Sequence, residues 1–396
     1  MSARPLITTD CHYGPPPDLA DGLPAKFRAR VPHLETRRDG TYYLRPDLAE
    51  MMRSMGGMGG SSETTDAITA MLAEGIKVDL DDPATVAFIV QGNVAPEASP
   101  GFTADAFLRE LARDGVVGAV LIGSSGFAAM DDVEASIAWS ELHNDWAAET
   151  FGDHLDAFAP SITLPLLDVA ASVRELERAA GLGLRPLLLP DVIPSMPYSL
   201  PEWEPLWEAA AGLAVPVATH VSGPRALYPW AQLVIDRPSQ QLAAFALTSV
   251  GMVETMTWFA CEGILERHPE LKLVLTECSA GWLAWAMQFL DHHYLGRYGN
   301  EFQEKRGNRS VQTLAAPPSY YIKRQVSCTF MDDPVAIHNR EFTGLDCLLW
   351  GNDYPHSEGV FPHSQEAVDK QFSGVPEAEI MQIVHDNAAR IYNLTV

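Results

Sequence analysis

Long hydrophobic runs are missing. No window of 18 apolar residues escapes a charge or a breaker, so no single-helix membrane span is expected. A signal-peptide core is missing too, since Met-Ser-Ala-Arg-Pro leads through a short apolar stretch to Asp10. The expectation is a soluble, cytoplasmic protein. Cysteine is scarce: five in 396 residues, none in a C-x-x-C spacing, which argues against a disulfide framework and a zinc knuckle. Basic residues are outnumbered, 27 Lys and Arg against 52 Asp and Glu. The resulting net charge of −25 argues against nucleic acid or an anionic membrane as partner. A small-molecule substrate is left open, because it feels only its pocket.

What is present is ordinary globular material, 47% hydrophobic and 20% charged, long enough to bury a large core without staples. Eight short apolar runs, at 6–12, 116–124, 157–165, 184–190, 215–222, 271–278, 326–330 and 347–353, read as strands. They are nearly continuous in hydrophobicity, as parallel strands covered on both faces should be. Helical patterns at 132–151, 169–180, 202–212, 249–268 and 365–372 alternate with them, and Gly181 and Gly212 stand where C-terminal caps belong. The alternation predicts an α/β fold, a single (β/α)8 TIM-type barrel spanning 1–396. An open doubly wound sheet is the alternative, and no Gly-x-Gly-x-x-Gly follows the first strand to favour it. A long insertion, about 13–115, interrupts the alternation after strand one and leaves from the active-site face of the barrel. Its Met/Gly-rich run at 51–60 is either an adaptable cover over the pocket or a plain surface loop.

Catalytic groups of a barrel sit at the C-terminal ends of its strands. Strand one ends in Asp10-Cys11-His12, and the two-residue period turns Asp10 and His12 inward and Cys11 outward. Strand five ends at His220, strand six at Glu277 and strand eight at Asp353. Singly, an Asp-x-His pair, a strand-ending histidine or a Gly-Asn-Asp-Tyr-Pro turn says little. Jointly, Asp10, His12, His220 and Asp353 make a mixed nitrogen and oxygen set suited to a borderline divalent metal.

These residues carry a resemblance. The Asp10-x-His12 opening, GILERHPELKLVL at 263–275, ECSAGW at 277–282, WGNDYPH at 350–356 and NAARIY at 387–392 are similar to motifs of the amidohydrolase-related family that includes aminocarboxymuconate-semialdehyde decarboxylase. The likeness covers most of 116–396 and the first strand. It implies a distorted barrel with one catalytic divalent ion, zinc first and manganese second, held by Asp10, His12, His220 and Asp353, with Asp353 also taking a proton from an activated water. Many members open with His-x-His, where this chain has Asp10. The decarboxylase has a histidine where this chain has Glu277, which is therefore an acid/base candidate, a partner of His220, or a structural acceptor. No Lys stands in the fourth strand to bridge two metals, so one ion is expected. His356 is a candidate to touch substrate or orient Asp353, and Arg225 to pair with a substrate carboxylate. Trp282 and Trp285 read as core.

The leading expectation is a metal-dependent hydrolase of a small organic, aromatic or carboxylated substrate. Non-oxidative decarboxylation of an aromatic or unsaturated acid is the alternative, and a catalytically inactive binding barrel a third. Relatives are often dimers, and the insertion is a candidate interface of a homodimer.

Overall fold

The computed structural model describes residues 3–16, 18–28, 33–36, 42–45, 76–78, 95, 97–98, 101–123, 132–190, 196–221, 238–295 and 314–396. Strand β1 (Leu6–Tyr13) opens the chain. β2 (His33–Thr36), β3 (Tyr42–Arg45) and β4 (Ile76–Val78) then form a small antiparallel sheet inside the insertion. Seven strands follow: β5 (Val116–Gly123), β6 (Phe158–Pro160), β7 (Leu187–Pro190), β8 (Val217–His220), β9 (Leu273–Thr276), β10 (Val326–Phe330) and β11 (Leu348–Trp350). With β1 they make eight parallel strands, in two runs: β1-β5-β6 and β7-β8-β9-β10-β11.

Two bridges close these runs into a ring. Ile162, just past β6, pairs with Leu187, and Tyr354, just past β11, pairs with Cys11. The His12 amide donates to the Tyr354 carbonyl at 2.6 Å, and the Leu188 amide to the Ile162 carbonyl at 3.2 Å. The result is the TIM-type barrel the alternation predicts, distorted at two seams where pairing thins to single bridges.

Local chemistry starts the helices. Asp132, Asp168 and Asp333 each accept a bond from the backbone amide three residues on, opening the helices Val133–Phe151, Val169–Gly181 and Pro334–Thr343. Two expectations need correction. The left-handed residues that turn the chain after two helices are Gly183 and Ala214, not Gly181 and Gly212, which are the last helical residues. The single helix expected at 249–268 is two, Pro238–Cys261 and Ile264–Arg267, separated at Gly263, whose φ of 74° a side chain would oppose.

Alternation along the strands sorts the core into two layers. Ile7, Val120, Ile122, Ala159, Ala218, Val274 and Leu349 fill the barrel interior, and Ala388, Tyr392 and Leu394 from the C-terminal segment close it at the strands' N-terminal end. The other strand face, with Leu6, Cys11, Ala119, Leu121, Leu273 and Cys328, packs outward against the helices. In the insertion, Ala20, Leu23 and Phe27 pack on Ala135 and Trp139 of the helix Val133–Phe151. The run at 51–60 lies outside the described residues.

Candidate metal centre

The ring brings its strand ends together at one mouth. In β1 the register with β5 slips between Thr8 and Cys11, so Thr9 and Asp10 occupy the space of one partner residue. Such a bulge re-aims side chains. Neighbours lock this one: Thr8 Oγ1 donates to the Asp10 carbonyl at 2.8 Å and accepts from the Asn352 amide at 2.9 Å. Thr9 Oγ1 meets Thr329 Oγ1 at 2.8 Å and the Trp350 carbonyl at 3.1 Å. Gly351 has no side chain because a Cβ there would lie 2.7 Å from that of Asp10.

Around this scaffold the imidazoles and carboxylates converge. His12 Nε2 is 3.4 Å from Asp10 Oδ1 and 3.0 Å from Asp353 Oδ1. His220 Nε2 is 3.5 Å from Asp10 Oδ1 and 3.2 Å from Glu277 Oε2. His356 Nδ1 is 2.8 Å from Asp353 Oδ1, and its ring lies over that of His12 with centroids 3.9 Å apart. Both acids that end late strands, Glu277 and Asp353, have left-handed backbone, φ 57° and 56°. Non-glycine residues rarely adopt this conformation, and it persists where surroundings impose it. The turn that follows Glu277 is held by Asp333, whose Oδ2 accepts from the amides of Ala280 and Gly281 at 2.7 Å.

The donor set fits a divalent cation on two observations. His220 Nδ1 lies 2.6 Å from the Val221 carbonyl, so it carries the proton and leaves the Nε2 lone pair directed at the cluster. Asp10 Oδ1 and Oδ2, His220 Nε2 and Asp353 Oδ2 are buried without a hydrogen-bond partner, although each desolvated polar atom needs one. Asp10, His12, His220 and Glu277 place one ligand atom each within 4.8 Å of the others, and so do His12, Asp353 and His356.

Electrostatics reflect the crowding. Burial alone would raise the Asp10 carboxyl, but the imidazoles of His12 and His220 outweigh it and hold Asp10 below its ordinary range. Burial opposes protonation of His12, yet Asp10 and Asp353 prevail and push it up to about 9. Glu277 goes the other way. Burial, then the nearby charges of Asp10 and Asp353, push it up to about 8 against the pull of His220.

Thus the structure gathers Asp10, His12, His220, Glu277, Asp353 and His356, while Arg225 lies outside the described residues. Sequence reasoning missed Glu358, whose carboxylate comes within 4.8 Å of those of Glu277 and Asp353. Its only signal was its place in the strand-eight loop, five residues past Asp353. Cys11 faces the outer layer, and burial raises its thiol far above the ordinary range, which removes it as a nucleophile. Trp282 is half-buried and donates to the Cys278 carbonyl at 2.9 Å. Trp285, expected in the core, is exposed.

Among the described residues no helix is long and apolar enough to cross a membrane. No curated protein matches the chain in sequence. In structure it is similar to amidohydrolase map2389c from Mycobacterium avium subsp. paratuberculosis K-10, with a TM-score of 0.68 and 18% identity over 99% of this chain and 100% of that one. It is similar to 5-carboxyvanillate decarboxylase LigW from Sphingomonas paucimobilis, with a TM-score of 0.64 and 20% identity over 99% of both chains. A dihydroxybenzoic acid decarboxylase from Polaromonas sp. JS666, with bound manganese and the inhibitor 2-nitroresorcinol, gives a TM-score of 0.60 and 17% identity over 99% of this chain and 98% of that one. These likenesses establish the shared fold. The family model for amidohydrolase matches residues 113–394, from the second barrel strand through the helix that closes the barrel, and the chain therefore belongs to the amidohydrolase family of enzymes.

Proposed function

We propose that the chain is a metal-dependent decarboxylase of a small aromatic carboxylic acid, with hydrolysis as the second reading. The observation that carries the reading is the geometry of one buried mouth, where an acidic donor set converges and a further carboxyl, Glu277, stands 3.2 Å from His220. Fold neighbours support the order of the two readings, since those named for a reaction of known substrate are decarboxylases of substituted benzoic acids. Asp10, His12, His220 and Asp353 would hold the ion. Asp10 in place of a neutral imidazole makes the set richer in oxygen, which suits manganese as well as zinc. When bound, a divalent cation supplies Lewis acidity and offsets the carboxylates gathered there.

The chain's own groups handle the proton. Loss of carbon dioxide from an aromatic acid breaks a carbon–carbon bond and requires one proton at the ring carbon. Burial raises the Glu277 carboxyl above the ordinary glutamate range in the cation-free site, and Glu277, beside His220 at the mouth, is the group placed to deliver that proton and to regain one from solvent through its partly exposed edge. Asp353 is held by His12 and His356 and orients both rings. Hydrolysis draws its support from the same Glu277, which stands where the family's decarboxylase has a histidine. In that reading Asp353 takes the proton of an attacking water.

The deciding experiment supplies manganese- or zinc-loaded protein with a panel of hydroxylated benzoic acids, aryl amides and lactones. Carbon dioxide released from the acids supports decarboxylation. Amine or alcohol released with no carbon dioxide overturns it in favour of hydrolysis, and no turnover of any kind favours the inactive barrel.

A further inference from the structure

The end of the barrel opposite the metal centre carries the reverse charge. In a chain of net charge −25, four cations line one recess there. Lys272 immediately precedes β9. Lys323 and Arg324 lie in the last turn of the helix Pro318–Gln325, which leads into β10, and Arg390 lies on the closing helix Asn387–Tyr392. Asp346, just before β11, is the one acid among the lining residues. The recess measures about 280 Å³ and opens to solvent. Its charge is poorly balanced from within. Arg390 pairs with Asp346 at 3.0 Å. Lys272 spends one of its three ammonium donors on the Arg324 carbonyl at 2.9 Å. Arg324 donates to the Gln325 side chain and to the Leu265 carbonyl, both at 2.7 Å, and these acceptors are neutral. Lys323 lies over the Phe342 ring at 5.1 Å. Glu266 does not line the recess, and it accepts from the Tyr321 hydroxyl and the Ala315 amide.

We propose that this recess binds a compact dianionic oxyanion of the phosphate class, either the free ion or the phosphoryl group of a larger molecule. Cations in the last turn of a helix ordinarily offset that helix's dipole. This accounts for Lys323, Arg324 and Arg390 singly. It does not account for their sharing one recess with Lys272, a half-buried lysine that belongs to no helix. Burial, then the charge of Arg390, holds the Lys272 ammonium below its ordinary range, although Glu270 and Asp346 pull against them. An anion in the recess would relieve that crowding. Two ammonium groups and two guanidinium groups, brought by three elements, surround the space. A tetrahedral anion with acceptors on every side suits them better than a planar monocarboxylate, with guanidinium forks and lysine point charges each finding an oxygen. The net charge of the chain does not forbid binding. At physiological salt fields fade within about 8 Å, so the nearest charges decide, and these are the four cations.

Isothermal titration calorimetry tests this on the full, metal-loaded chain freed of excess ion, at physiological salt. Inorganic phosphate and glycerol phosphate are titrated separately, and the heat is read without any turnover. The expected result is binding with a Kd below about 1 mM, weakened about tenfold or more in Lys323→Gln/Arg390→Gln, which removes two charge-assisted contacts. Both residues are exposed, so the fold should tolerate the change. Tighter binding of the ester than of the free ion supports the proposal with a larger phosphorylated molecule as ligand, and the reverse order supports it with free phosphate. No binding of either compound to the wild type overturns it. An affinity unchanged in Lys323→Gln/Arg390→Gln also overturns it, because the anion then sits elsewhere, as at the metal centre. Should the double variant fail to fold, Asp346→Asn decides. It removes the one acid of the recess and frees Arg390, so phosphate should bind about twofold or more tighter, and an unchanged or weaker affinity overturns the assignment.

Discussion

Glu277 loses its proton reluctantly because the fold surrounds it with apolar atoms and other carboxylates, and this has a measurable sign. Its folded-state pKa of about 8 lies above the ordinary 4.5. Between those values the folded chain retains a proton that the unfolded chain has released, so stability falls as pH rises through the window. His12, pushed up to about 9, contributes in the same direction. Chelator-treated protein should therefore melt at progressively lower temperature as pH is raised from the glutamate range to about 8, and Glu277→Gln should flatten that slope. A slope unchanged in the variant would remove Glu277 as the cause. For Asp353→Asn, shape is conserved and the carboxylate is lost. Turnover should drop by about 10²-fold or more while the far-UV spectrum is unchanged, since Asp353 would help hold the ion and contacts both His12 and His356. The positions of Asp10, His12, His220, Glu277 and Asp353 were legible because each lies at or near the end of an apolar run, the end of a barrel strand where functional groups gather, although the bulge at Asp10 and the left-handed backbone of Glu277 and Asp353 were not. Glu358 was not, because a turn has no such period.

The strands show what patterning can and cannot tell. All eight apolar runs fall on a barrel strand, 326–330 end to end and 6–12 one residue short of Tyr13, because buried parallel strands need unbroken hydrophobicity. Elsewhere the runs overshoot, as at 347–353, where pairing stops at Trp350 and the polar tail Gly351-Asn352-Asp353 serves the site. The slip in β1 had no sequence signature, since it arises from Thr8 and Thr9 bonding to residues more than 300 positions away. It does make Gly351 critical. Gly351→Ala would drive a methyl group against Asp10 Cβ, Thr329 Cγ2 and the Asp10 amide, all within 3.1 Å. Overpacking of this kind costs about 1–3 kcal/mol, so the variant should melt at lower temperature and bind metal more weakly. Full metal affinity in Gly351→Ala would show that Asp10 does not need this fit. Exposure of the outer helices was equally hidden, because Trp282 and Trp285 look alike in a helical pattern and only one of them turns inward.

At the scale of the whole molecule, the site's anionic groups oppose one another until a cation joins them, so the ion should act on global stability. A ligand that binds only the native state adds about 2.7 kcal/mol at a hundredfold excess over its Kd. Adding manganese or zinc to chelated protein should raise the melting temperature in wild type and leave it nearly unmoved in Asp10→Ala/His220→Ala. Equal shifts in both would mean that the ion binds elsewhere. The order of synthesis adds a constraint of its own. The ring is sealed only when Tyr354 reaches back to His12, across 341 intervening positions. A nascent chain still on the ribosome can make earlier strand pairs, but it has no pocket to load until nearly its last strand has emerged. Contacts this remote in sequence form slowly, and until then β1 waits with one edge uncovered, open to mispairing with a neighbouring nascent chain.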